Sequence, residues 1–103
     1  VEALSKAARD RDPETRRAAI QGLGISGEGA QKQLRALYKE FQDPDDKQEV
    51  ARAFMVQGDA KSLIDLFRSE RDPAMKRVHL QQLTLIDEPE ANRFLLDILG
   101  DEQ

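Results

Sequence analysis

The sequence predicts an all-α chain built from three consecutive helix pairs, and three observations lead there. The phrase RDPETRRAAIQGL at Arg11–Leu23 returns as RDPAMKRVHLQQL at Arg71–Leu83, with a looser version, QDPDDKQEVARAF, at Gln42–Phe54 between them. Behind each Asp-Pro the apolar residues recur at helical spacing. Strand signals are missing, since β-branched residues are few and no alternation is sustained.

The repeat is tested by counting from each Asp-Pro, at Asp12, Asp43 and Asp72. Eight residues on stand Ile20, Ala51 and Leu80; eleven on, Leu23, Phe54 and Leu83; thirteen on, Ile25, Val56 and Leu85. Fifteen on stand Gly27, Gly58 and Asp87, each followed by an acid. Counting backward from Asp43 and Asp72 gives Leu34 and Leu63, Leu37 and Leu66, and Tyr38 and Phe67; the last segment offers Leu95, Ile98 and Leu99 at the same mutual spacing.

The elements follow in order. Ala3, Leu4, Ala7 and Ala8 mark a thin helix near 2–10. Asp-Pro then starts a first helix in each unit. The Asp side chain accepts from a free backbone N–H, and Pro, with no N–H and a preset φ, suits the next position. Glu14 and Asp45 favour the positive end of the helix dipole. The Gly or Asp fifteen residues on ends that helix and the following acid opens the next. The expected pairs are 13–25 with 28–41, 44–57 with 59–70, and 73–86 with 88–99. The second unit is two residues shorter than the first between turn and second helix, a deletion expected in the turn itself. The chain reads as one domain, 1–103, divided into a half-repeat 1–11 and repeats 12–42, 43–71 and 72–103. It begins at Val1, so a segment of a longer protein is expected.

The pattern Asp-Pro, basic residues, apolar run, Gly-acid turn and Leu-x-x-Leu resembles HEAT repeats of the short bacterial kind found in phycobilisome lyases. DPETRRAAIQGLGISGEGAQKQLRAL follows it nearly throughout. DPDDKQEVARAFMVQGDAKSLIDLF and DPAMKRVHLQQLTLIDEPEANRFLLDIL depart from it at Glu49 and Asp87. The resemblance implies a right-handed α-solenoid of about three HEAT-like pairs plus the half-repeat, in which each pair buries its neighbour's apolar face. It also implies a protein-binding or regulatory role, with help in chromophore attachment in a minority of the family. In such a stack Leu23–Phe54–Leu83 and Leu37–Leu66–Ile98 form the spine. Arg16, Arg17, Lys47, Lys76 and Arg77 either ladder to acids of adjacent units or stay solvated.

Chemistry has little to work with. The chain of 103 residues has no Cys and one His, so thiolate metal sites and cysteine nucleophiles are excluded. His79 falls in a column with Ala19 and Val50, which favours packing over catalysis. A Ser-His-acid set using Ser62 or Ser69 lacks any motif to assemble it. GLGISGEG lacks the GKS/GKT ending and preceding strand of a phosphate loop. No cofactor or metal is expected. A formal net charge of −4, a pI near 5.0, one Tyr and no Trp argue against nucleic acid. The apolar runs are too short for membrane insertion.

A protein or peptide partner is therefore the expected ligand, and the second-helix face the expected surface. Ile64 and Leu96 add apolar width to that face, with a polar rim of Arg35, Lys39, Asp65, Arg68 and Arg93. The competing reading is that Ile64 and Leu96 complete packing between repeats. Nucleic-acid binding and a lyase-like accessory role to a larger enzyme stand as alternatives.

Overall fold

The computed structural model describes residues 2–26 and 28–101. Among these residues there are seven α-helices and no strand: α1 (Glu2–Ala7), α2 (Pro13–Ile25), α3 (Gln31–Glu40), α4 (Pro44–Gln57), α5 (Ala60–Ser69), α6 (Pro73–Thr84) and α7 (Pro89–Asp101). A 3₁₀ turn, Glu28–Ala30, precedes α3.

Each Asp-Pro starts a first helix as expected. Asp12, Asp43 and Asp72 hold extended backbone ahead of Pro13, Pro44 and Pro73. Their carboxylates accept from the backbone N–H of Thr15 (3.3 Å), Asp45 (2.9 Å) and Ala74 (3.1 Å). Asp59 does the same for α5, accepting from the Ser62 N–H at 3.1 Å.

The helix ends differ between units, for a local reason. Gly58 takes φ 70°, so the Asp59 N–H reaches the Phe54 carbonyl at 2.9 Å and the Gly58 N–H reaches Met55 at 3.0 Å. The third unit has Asp87 instead of this glycine, and α6 stops two residues sooner than expected. Its last turn tightens, with the Leu85 and Ile86 N–H groups bonded to the Gln82 and Leu83 carbonyls. In the first unit α2 ends at Ser26, whose hydroxyl donates to the Gly22 carbonyl at 2.8 Å; Gly27, the expected turn glycine, lies outside the described residues. The shorter second unit passes from α4 to α5 through Gly58 and Asp59, where the first inserts the 3₁₀ turn. The length difference is thus absorbed in the turn. The first helix is also shorter than expected, ending at Ala7.

The first helices lie side by side, α2 against α4 and α4 against α6. The second helices pack on them: α1 on α2, α3 on α4, α5 on α4 and α6, and α7 on α6, with α7 also against its fellow second helix α5. The molecule measures 45 × 25 × 17 Å. Leu23, Phe54 and Leu83 are fully buried, as are Ile20, Leu34, Leu37 and Leu63. Burying each such leucine contributes about 1.5–3 kcal/mol. Leu66 is buried and Ile98 half-buried. Gly24 lets α2 and α4 approach closely: a Cβ there would lie 3.0 Å from Ala53 Cβ and 3.1 Å from Ala53 Cα.

The column thirteen after each Asp does not join this core. Ile25, Val56 and Leu85 are 79%, 56% and 66% exposed. At 3.6 residues per turn this column lies about 200° around the helix from the buried one eleven after each Asp.

Candidate functional site

The basic residues after Asp-Pro join neighbouring first helices in the first unit, whereas in the second Lys47 turns to Glu70 at the end of α5, within its own unit. Arg16 Nε lies 3.2 Å from Asp46 and Arg17 Nε 3.5 Å from Glu49, both across the α2–α4 contact. Lys47 stands 3.4 Å from Glu70. Lys76 instead donates to the Phe67 carbonyl at 2.9 Å and covers the Phe67 ring. Arg77 forms no ion pair among the described residues and is exposed.

On the second-helix face, Arg35, Ile64 and Leu96 occupy equivalent positions, and the first two lie toward the next second helix, α5 and α7 respectively. Arg35 donates to Ser62 Oγ at 2.7 Å and to Asp65 Oδ2 at 3.1 Å. Ser62 in turn donates to Asp59, which also accepts from Gln31 at 2.7 Å. The α3–α5 seam is therefore a polar bridge, and Arg35 and Asp65 are engaged in it. Ile64 is only 5% exposed and belongs to the core, so it offers no free apolar surface. It floors a small hollow of about 150 Å³ rimmed by Arg68, Arg93, Phe94 and Asp97. The Arg68 guanidinium lies 5.4 Å from the Phe94 ring centroid, and Phe94 meets Phe67 edge-on at 5.4 Å. Lys39 is exposed at the end of α3. Leu96 meets no following helix among the described residues and is 68% exposed, beside Leu99 at 59%.

The first-helix side carries a surface that repeat counting did not single out. Ile25 and Val56 flank a groove between α2 and α4 of about 280 Å³, with Gly24 and Ala53 beneath and Gln21, Glu49 and Arg52 at its edge. Toward the helix ends it opens into a wider hollow of about 520 Å³, reaching Gln31, Gln57 and Asp59. Leu85 holds the equivalent position in the third unit, just past the end of α6. The signal was present in the sequence, because the column thirteen after each Asp is apolar in all three copies yet faces away from the core.

A third cluster is internal. His79 is fully buried, and its Nε2 lies 2.8 Å from the Tyr38 hydroxyl. That hydroxyl also bonds Glu70. Glu70 accepts at its other oxygen from the backbone N–H groups of Arg71 (3.0 Å) and Asp72 (3.1 Å). Burial opposes ionisation of Glu70, but the Tyr38 hydroxyl, these amides and Lys47 outweigh it and hold the carboxyl down at about 2. Burial, with the Glu70 hydrogen bond, pushes the Tyr38 phenol up. A phenol has one proton, and here it goes to the carboxylate. Nε2 of His79 must then be the donor to the Tyr38 oxygen, which leaves Nδ1 bare. Nδ1 has no hydrogen-bond partner. Burial lowers His79 to about 4; Glu70 opposes this shift, and Lys47 and Lys76 reinforce it. The cluster ties α3, α4, α5 and α6 together. His79 and Tyr38 lie inside it, with Glu70 and Lys47 at its partly exposed edge, and the imidazole it holds is neutral.

Among the described residues, no three His, Asp or Glu side chains converge in a set able to hold a metal ion. No helix is long and apolar enough to cross a membrane. No protein-family model, curated protein or solved structure matches the chain.

Proposed function

We propose that the chain is a HEAT-type α-solenoid that binds a protein partner and carries out no catalysis itself. The side-by-side first helices, the second helices packed behind them and the shared Asp-Pro caps support the solenoid reading. One observation carries the binding reading. Ile25, Val56 and Leu85 repeat an exposed apolar residue at the same place in three consecutive units. A single exposed apolar residue is ordinary, whereas an apolar position kept exposed in three copies makes a surface suited to a partner. The hydroxyl beside neutral His79, that of Tyr38, gives its proton to Glu70, and the Asp-Pro carboxylates at the helix starts are occupied as caps.

The second-helix end of the molecule is a further surface for the same role. Leu96 and Leu99 are exposed there beside Arg93 and the Arg68–Phe94 stack.

Site-specific photo-crosslinking tests the reading. A photoreactive amino acid at Gln21, which is exposed beside the groove, is expected to give a discrete adduct in extract of the source cells. Excess unlabelled chain should compete it away, and a chain with Ile25→Ser, Val56→Ser and Leu85→Ser should not. If no adduct forms, or both competitors act alike, the first-helix side is not a binding surface.

A further inference from the structure

We infer that the groove between α2 and α4 seats a bulky apolar side chain from a protein segment that carries a carboxylate beside it. This rests on the protein-binding reading above and adds the chemistry of the partner. The groove has apolar walls, Ile25 and Val56, and a floor where Gly24 meets Ala53. Because Gly24 has no side chain, the two helices close beneath the groove while its mouth stays open. A partner side chain entering there would cover two residues that now face water.

The charge of the partner follows from which arginines are already engaged. Arg16 and Arg17, on the same pair of helices, are held by Asp46 and Glu49. Arg52 lines the groove, is exposed, and forms no ion pair among the described residues. An incoming carboxylate would take its guanidinium through charge-assisted hydrogen bonds. The orientation follows as well. Beyond Leu85 stand the exposed acids Asp87 and Glu88, which repel further negative charge. The acidic part of the segment therefore lies over α2 and α4, and the end that reaches α6 is neutral or basic. A short amphipathic helix, with one apolar face and acids along one edge, meets these requirements.

The experiment is a selection from a phage-displayed library of random peptides on the whole chain, followed by fluorescence anisotropy of the enriched peptides. Enriched sequences are expected to place Asp or Glu within one helical turn of a Leu, Ile, Met or Phe. Val56→Asp and Arg52→Glu, both at exposed positions, are expected to keep the helical circular dichroism and to weaken binding about tenfold or more. Replacing the peptide's acid by Lys should restore binding to Arg52→Glu and weaken it to the original chain. The inference falls if enriched peptides lack acids or if the charge swap fails to restore binding. Peptides that ignore Val56 and Arg52 but are lost with Leu96→Asp and Leu99→Asp would overturn it too, while leaving protein binding in place at the second-helix end. Failure to enrich any peptide overturns it as well; the photo-crosslinking experiment tests protein binding independently.

Discussion

Lowering the pH from neutrality should destabilise this fold first through His79. Its imidazole is fully buried with a bare Nδ1, and adding a proton there would create a cation with nothing to accept its N–H. The unfolded chain has no such restriction and takes up the proton near pH 6.5, whereas the folded chain holds out to about 4. Between these values the unfolded state binds more protons, so stability falls as pH falls. Over the whole window the loss is about 3 kcal/mol. Stability contributed by neutral His79 is present above pH 6.5 and gone near pH 4. Below about pH 4.5 Glu70 adds to the decline, because its folded carboxyl titrates near 2. Urea unfolding followed by circular dichroism at pH 7.5, 5.5 and 4.5 measures this directly. In the parent chain the midpoint should drop between each pair of values. His79→Val places there the residue that the second repeat carries at Val50. It keeps the Tyr38–Glu70 bond and should flatten the dependence between pH 7.5 and 5.5. An equally steep decline in His79→Val would refute the assignment, as would a parent midpoint that does not move.

Other substitutions test the packing and the caps. Gly24→Ala forces a Cβ to 3.0 Å from Ala53, against backbone that can move only if α2 and α4 separate. Overpacking should cost about 1–3 kcal/mol, partly offset by alanine's helix propensity, and thermal unfolding should show a net loss. Gly29→Ala, with nothing within 4 Å, should be close to neutral by the same measurement. Asp59→Ala removes the α5 cap together with the Gln31 and Ser62 bonds, and chemical denaturation should show a loss of about 1–2 kcal/mol. Asp43→Ala removes a cap with fewer partners, and its loss should be the smaller of the two.

Much of the architecture was legible because its signals are local. Asp before Pro sets a helix start by hydrogen-bond chemistry within three residues, and all three Asp-Pro pairs act in that way. The Leu23–Phe54–Leu83 column was legible because one apolar position per repeat, on the inward side of a first helix, has nowhere to go but the core. Direction around the helix is less legible. Ile25, Val56 and Leu85 share the apolar spacing, although angular arithmetic places them on the outer side. Contacts between units were harder still. Arg35 and Ile64 occupy one column, yet the first bridges to Ser62 and Asp65 while the second is packed away, because each answers to a different neighbour. Nothing near His79 in sequence announces Tyr38, 41 residues away; only the small, apolar column of Ala19 and Val50 hinted at its burial.

Duplicating residues 43–71 in tandem bears most directly on the claim that like units stack in one orientation. If they do, the extra unit meets neighbours of the kind it already has. Mean helicity should stay constant, and X-ray scattering should show the 45 Å dimension growing by about 8–10 Å, one helix-to-helix step, with the cross-section unchanged. A chain that loses helicity, or that swells in all directions, would contradict the account.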